Sequence, residues 1–258
     1  MQLADYKDRF DCASIERRDG IIEVTLGTNG GSLVWGPGPH RELAELFDAI
    51  GSDRENRVVI LTGAGENFCV DRDNSMSSLR SSADGWDQIY WEGKRLLESL
   101  LSIEVPVIGA VNGPAHHHAE IPIISDIVLA SSTATFQDHA HFHSGVVPGD
   151  GVQVIWPMVL GPNRGRYFLL TGQVLTAADA LGLGAVSEVL EPERLLPRAR
   201  ELAATIASRP VLTTRYTRVV LTERIRRAVS EGIGYGLALE GIGILSAVDA
   251  QRSDDRDG

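Results

Sequence analysis

Pro106-Val107-Ile108-Gly109-Ala110-Val111-Asn112-Gly113 is the stretch on which the fold turns. Its apolar residues run on without polar alternation, so both faces of an extended segment are expected to be covered, and the run stops at Asn-Gly. Val58-Val59-Ile60-Leu61-Thr62-Gly63 has the same form. Shorter strand candidates follow at 127–130 and 133–136. Between these runs, residues 40–50 put Leu43, Leu46, Phe47 and Ile50 on one helical face, and residues 86–102 read as another helix. Buried strands alternating with helices imply an α/β domain.

Toward the N-terminus, residues 15–26 alternate apolar and polar around Asp19-Gly20, the pattern of a hairpin. Beyond Pro162 the pattern becomes helical, with candidate helices at 164–171, 176–181, 192–207, 212–222 and 226–247. The chain therefore divides into a core over 1–190 and a C-terminal helical region over 191–258, whose charged end, 253–258, is expected to fray.

A chain of 258 residues can bury a core large enough to hold a concave site. Its 43% hydrophobic and 23% charged residues exclude a disordered or fibrous protein. The net charge of −11 disfavours nucleic acid as a partner. Apolar runs such as 105–111 and 121–124 break well short of the ~20 residues a membrane span needs, so no membrane association is expected. Residues 1–11 mix both charges without an apolar stretch, and a cytoplasmic location is expected. Cys12 and Cys69 are too few for a disulfide framework and read as free thiols.

The histidines carry the functional signal. Of seven, six lie between His116 and His143. His139, His141 and His143 alternate, so on a strand they would share a face and could ligate zinc with Asp138 or Asp150. Ser144-Gly145 and Pro148-Gly149 instead suggest a bending loop, and no metal is expected. The other arrangement is a dyad in which Asp150 orients His141 so that the imidazole activates water, with Gly145, Pro148, Gly149 and Gly151 folding the loop back. Spacing alone leaves both open.

Three further stretches, together with the opening one, resemble the crotonase (enoyl-CoA hydratase/isomerase) superfamily. They are Val58 to Gly65 followed by Asn67-Phe68-Cys69, Ser125-Asp126-Ile127-Val128-Leu129-Ala130, and Leu170-Thr171-Gly172 leading to Gly184-Ala185-Val186. The resemblance implies a spiral core of ββα turns with a C-terminal helical layer that mediates trimers or dimers of trimers. Where CoA-using members place glycines behind an oxyanion, this chain reads Phe68-Cys69-Val70-Asp71 and His116-His117-His118. Glu120 stands about where hydratases carry their first glutamate, and His141 replaces the second.

Within that superfamily the chain resembles the 6-oxocamphor hydrolase type of β-diketone hydrolase. The matching segments are Ser32-Leu33-Val34-Trp35 with His40, Asn112-Gly113-Pro114 with His118 and Glu120-Ile121-Pro122, Phe136-Gln137-Asp138 with His141-Phe142, Val147-Pro148-Gly149-Asp150-Gly151, and Gly236-Leu237-Ala238 with Glu240. This resemblance implies a hydrolase that cleaves a C–C bond of a small diketone without cofactor. His141 would be the base, oriented by Asp150; His118 and the Trp35 indole would be donors to the carbonyl oxygen; Glu240 and His40 would be polar partners. His116, His117, His139 and His143 are extra, and residues 73–79 lack the aromatic side chain expected against the substrate. Alternative readings are a CoA-thioester hydratase or hydrolase, distinguished by tight CoA binding, and a non-catalytic or metal-binding trimeric scaffold.

Overall fold

The computed structural model describes the backbone of residues 1–257 and side chains through Val248. Strands β1 (Ala13–Arg18) and β2 (Ile21–Leu26) form the expected hairpin, in register from Ala13 opposite Leu26 to Arg18 opposite Ile21. Asp19 and Gly20 both take positive φ, 52° and 77°, which a two-residue turn between twisted strands requires. Then follow β3 (Leu33–Trp35), α1 (Pro37–Ser52), β4 (Val58–Gly63), β5 (Cys69–Arg72), α2 (Met76–Arg80), α3 (Ala83–Ser102), β6 (Val107–Val111), α4 (Glu120–Ile123), β7 (Ile127–Ser131) and β8 (Thr135–Phe136). The chain ends through α5 (Val152–Leu160), α6 (Pro162–Thr171), β9 (Leu175–Thr176), α7 (Ala177–Gly182), β10 (Glu188–Leu190), α8 (Pro192–Ala207) and α9 (Val211–Asp257).

The main sheet has the order β1-β2-β4-β6-β7-β10, parallel throughout except for the opening hairpin. The main-sheet strands β2, β4, β6 and β7 are each followed by a short extended piece in a second layer and then a helix. The second-layer pairs β3-β5 and β8-β9 are joined through Ala115, which bridges both Cys69 and Phe136. This is the ββα spiral of the crotonase fold. Most candidate site residues come from the second layer and the turns after it, and Glu240 comes from α9.

The uninterrupted apolar runs are explained by burial on both faces. Val58, Ile60, Ile108, Ala110 and Leu129 pack rearward against Leu195, Ala199 and Ala203 of α8, whereas Val59, Leu61, Val107 and Val111 face the main core. Helix α8 thus shares a core with residues of the 1–190 region.

The C-terminal layer differs from the sequence reading. Helices expected at 212–222 and 226–247 are one helix, α9, because the intervening Glu223-Arg224-Ile225 is charged yet contains no glycine or proline to break it. Val211–Val248 is long enough, and over an 18-residue stretch apolar enough at a mean hydropathy of 1.2, to cross a membrane by length and composition. One face packs within the chain through Val229, Ile233 and Leu237. Another leaves Leu212, Tyr216, Val220, Leu221, Tyr235 and Ile242 exposed. The fraying expected for 253–258 falls beyond the residues whose side chains are described.

Candidate active site

Five parts of the fold converge on one buried polar cluster. Trp35 ends β3, His118 precedes α4, Asp138 and His141 lie in the turn after β8, Asp150 precedes α5, and Glu240 projects from α9. Glycine makes the last approach possible. A Cβ on Gly149 would fall 2.3 Å from the Gly236 carbonyl oxygen, and one on Gly236 would fall 2.3 Å from the Gly149 carbonyl, so only glycine at both lets α9 lie against the loop carrying Asp150.

His141 is the most heavily partnered side chain. Its Nδ1 donates to Asp138 Oδ1 at 2.6 Å, and its Nε2 lies 3.3 Å from Asp150 Oδ2 and 3.8 Å from Glu240 Oε1. This corrects one expectation. The carboxylate that orients the ring from Nδ1 is Asp138, three residues upstream, whereas Asp150 faces Nε2 on the side where a base would work. Burial alone would lower the His141 pKa, but the charge of Asp150 and the hydrogen bond to Asp138 carry it well above 6.5. Asp150 moves the opposite way: burial would raise it, and the His141 charge outweighs that and holds the carboxyl below its usual range.

Glu240 has no such compensation. Burial pushes its pKa up to about 8, with the attraction of His141 only partly opposing, so it is an uncharged acid at neutral pH. Asp138 Oδ2, Asp150 Oδ1 and Glu240 Oε2 are all buried without a hydrogen-bond partner. Unsatisfied buried acceptors concentrated in one place mark a site for polar ligands or water.

His118 stands beside this group. Its Nδ1 donates to Glu120 Oε1 at 2.7 Å and lies 3.6 Å from Asp150, and its ring stacks on Trp35 with centroids 3.6 Å apart. Burial opposes its charge, but Glu120 prevails and raises its pKa. His118 has φ 51°, the left-handed conformation that glycine adopts freely and other residues adopt with strain. The glycine is gone from the sequence, but the glycine-like backbone persists. The N–H groups of His116 and His117 both donate to the Cys69 carbonyl, at 2.8 and 3.1 Å, and β5 is paired with β3. Side chains rather than these amides are therefore left to meet an oxyanion.

His40 lies one shell further out. Its ring packs edge-on against Trp35 at 5.8 Å, and its Nδ1 donates to Glu92 Oε2 at 2.8 Å. Burial would raise the Glu92 pKa, yet hydrogen bonds from His40 and Gln88 bring it below its ordinary value. Glu92, on α3, escaped the sequence reading because nothing in local spacing links it to His40.

The alternating histidines do not form a common face. No strand covers them; Phe142–Ser144 is a short 3-10 turn, so His141 points inward while His139 contacts His117 and His143 at centroid distances of 5.5 and 5.7 Å. A different set, His118, Glu120 and Asp150, brings one donor atom each within 4.8 Å of the others, close enough for a metal ion. In that set Glu120 and His118 already satisfy one another.

A crevice of ≈ 30 Å³ opens beside Trp35 and His118, walled by Asp73, Met76, Arg80 and Ala140. His141, Asp150 and Glu240 do not line it and connect to it through His118. Asp73 and Met76 line it from the 73–79 segment, where the resemblance implies an aromatic residue, and Arg80 lies just beyond that segment.

Comparison with known proteins identifies the family. The family model described as enoyl-CoA hydratase/isomerase matches residues 20–237. Curated relatives include a probable peroxisomal enoyl-CoA hydratase of Arabidopsis thaliana, 33% identical over 77% of this chain and 72% of its own length. A carnitinyl-CoA dehydratase of Proteus mirabilis is 31% identical over 88% and 85%. Among solved structures, a beta-diketone hydrolase from the cyanobacterium Anabaena sp. PCC 7120, bound to (S)-3-oxocyclohexyl acetic acid, is 49% identical with a TM-score of 0.92, covering 94% of this chain and 98% of that one. An enoyl-CoA hydratase/isomerase from Mycobacterium paratuberculosis is 26% identical with a TM-score of 0.85, covering 92% and 95%.

Proposed function

The chain belongs to the enoyl-CoA hydratase/isomerase family, and we propose that within it the protein hydrolyses a C–C bond of a cyclic or bicyclic β-diketone to give a keto acid. The observation that carries this reading is the buried imidazole of His141, with Asp138 on one nitrogen and Asp150 beside the other. The likeness to the cyanobacterial β-diketone hydrolase supports it.

Neutral His141 takes a proton from water, and the water oxygen attacks one carbonyl carbon. His118 and the Trp35 indole N–H stabilise the oxyanion, with His40 holding Trp35 in place from behind. Collapse breaks the bond between the former carbonyl carbon and its neighbour, and the electron pair passes into an enolate of the second carbonyl. Glu240, uncharged below about 8, protonates the enolate carbon and recovers a proton from His141, 3.8 Å away. One water hydrogen ends on the carboxyl group and one on carbon. No redox or group-transfer step is needed. Admitting a diketone requires the wall around Met76 and Arg80 to move, since ≈ 30 Å³ holds only a water or two. The exposed apolar side of α9 supports association into a homotrimer or a dimer of trimers.

The names of the curated relatives favour a second reading, hydration of a CoA thioester. Against it, the backbone amides of His116 and His117 are already engaged with Cys69. A panel of cyclic 1,3-diketones, followed by loss of the enol absorbance and run beside a short-chain enoyl-CoA, separates the two. Diketone turnover with inert enoyl-CoA is expected; turnover of the thioester alone overturns the proposal.

A further inference from the structure

The hydrolytic scheme needs two carboxyl groups at set distances from one imidazole nitrogen, yet Asp150 and Glu240 come from different elements. Asp150 is also poorly anchored by its own neighbours. It stands between Gly149 and Gly151, and glycine restricts the backbone less than any other residue. Its carboxylate accepts the N–H of Val152, a bond that ties it to the start of α5 but not to α9. One side chain joins this turn to the helix that carries Glu240.

Gln153, half-buried on the first turn of α5, makes the link with three hydrogen bonds. Its Oε1 accepts from the Gly151 N–H at 2.9 Å, and its Nε2 donates to the carbonyl oxygens of Gly149 and Gly232, at 3.2 Å each. The partners are one donor and two acceptors, which a carboxamide with its one carbonyl and two N–H groups satisfies in full. The bonds bracket Asp150 on both sides and reach α9. Gly232, Gly236 and Glu240 follow one another at four-residue spacing, so they lie on one face of that helix. A Cβ on Gly236 would fall 2.1 Å from Gln153 Nε2, so the amide fills the place where this face meets the loop.

We infer that Gln153 is a positioning residue for the proton-transfer cluster, setting how Asp150 and Glu240 stand about the Nε2 of His141. Its catalytic consequence rests on the diketone-hydrolase reading. Without the amide the turn is free to relax away from α9, and the approaches of 3.3 and 3.8 Å to Nε2 loosen together. Among the described residues, the titratable groups facing the ring are Asp138 from the turn after β8, Asp150, Glu240 and, past Asp150, His118. Asp138 sits outside the clamp, so the bond at Nδ1 stays while the Nε2 side opens.

The test removes the amide and follows the His141 ring directly, by nitrogen NMR titration of the histidines in the full-length protein. Gln153→Met keeps the length and loses all three bonds, and Gln153→Asn keeps an amide drawn back by one methylene. Ile233→Val trims the apolar packing of α9 beside Gly151 and leaves the amide in place. The His141 pKa is expected to fall toward the ordinary 6.5 in Gln153→Met, to lie between in Gln153→Asn, and to stay unchanged in Ile233→Val. On a good diketone, Gln153→Met is expected to lower kcat roughly 10- to 100-fold with KM within about twofold, as for catalytic groups displaced by about 1 Å. An unchanged His141 titration in both Gln153 variants overturns the assignment, and so does an equal shift in Ile233→Val. Should Gln153→Met fail to fold, Gln153→Asn decides. If the unmodified protein turns over no diketone, the hydrolase reading fails, and the titrations still decide whether Gln153 holds the cluster.

Discussion

His118 and His141 occupy the same stretch of chain as His116 and His117, and all four lose exposure to water, yet their pKa values move in opposite directions. Burial lowers the pKa of His117 to about 3, with no carboxylate to oppose it, and lowers His116 as well. The same burial is overcome at His118 by Glu120 and at His141 by Asp150 and Asp138. Clustering of imidazoles therefore does not raise a ring's pKa here; a carboxylate within 2.6 to 3.3 Å does. The carboxylate-partnered pair is shifted toward the protonated form. The pair without a carboxylate is shifted toward the neutral form, with His116 hydrogen-bonded to Thr135 and His117 packed edge-on against His139.

The sharpest way to break this contrast is to remove the most heavily partnered ring. His141→Ala is expected to lower kcat on a good diketone by roughly 10²- to 10⁴-fold with little change in KM, as for a group acting mainly in the transition state. Asp138→Asn and Asp150→Asn should each follow it in direction. A double variant of His141 and Asp150 should be little worse than His141→Ala alone, because the residues act as one unit. Steady-state kinetics on purified variants measure this, and a His141→Ala enzyme retaining most of its turnover sinks the assignment.

His118→Ala ranks next, at roughly 10²- to 10³-fold. It should weaken substrate binding as well as turnover, because a carbonyl donor touches the ground state and the oxyanion alike. Loss confined to kcat would instead place His118 with the proton-transfer groups.

The pH profile sharpens the comparison by less drastic means. Only neutral His141 can accept a proton, so kcat/KM should rise with pH through a value above the ordinary 6.5, the direction set by Asp150 and Asp138. Only protonated Glu240 can donate, so activity should fall again on the alkaline side near about 8. Because the groups interact, the two limbs belong to the cluster as a whole. Glu240→Gln should remove the alkaline limb, and a profile flat from pH 6 to pH 9 contradicts both assignments.

The smallest effect is expected at the exposed unpartnered rings. His139→Ala and His143→Ala should leave kcat and KM within about twofold and stability within about 0.5 kcal/mol, the usual range for surface positions. If either matches His141→Ala, carboxylate pairing is not what separates the two groups.

Much of the fold was legible because its signals are local. The runs at β4 and β6 read directly as strands buried on both faces, and Asp19-Gly20 as a hairpin turn. The helices expected at 212–222 and 226–247 are the single helix α9, because the charged residues between them do not interrupt helical hydrogen bonding. Residue types at the site were legible too: Trp35, His40, His118, His141, Asp150 and Glu240 follow from motif resemblance.

The sequence by itself determined the spiral of β-strands and helices, the family, and the six side chains that gather in or beside the buried cluster. Only the tertiary structure decided how they are wired. Asp138 rather than Asp150 takes the Nδ1 of His141, because a loop bends the chain in a way that spacing does not encode. Glu92 reaches His40 across 52 positions, and Glu240 reaches the site because Gly149 and Gly236 allow backbones to touch. Strand and helix identity come from patterns within a few residues, whereas a hydrogen bond depends on tenths of an ångström between segments far apart in the chain, a distance that exists only after packing is complete.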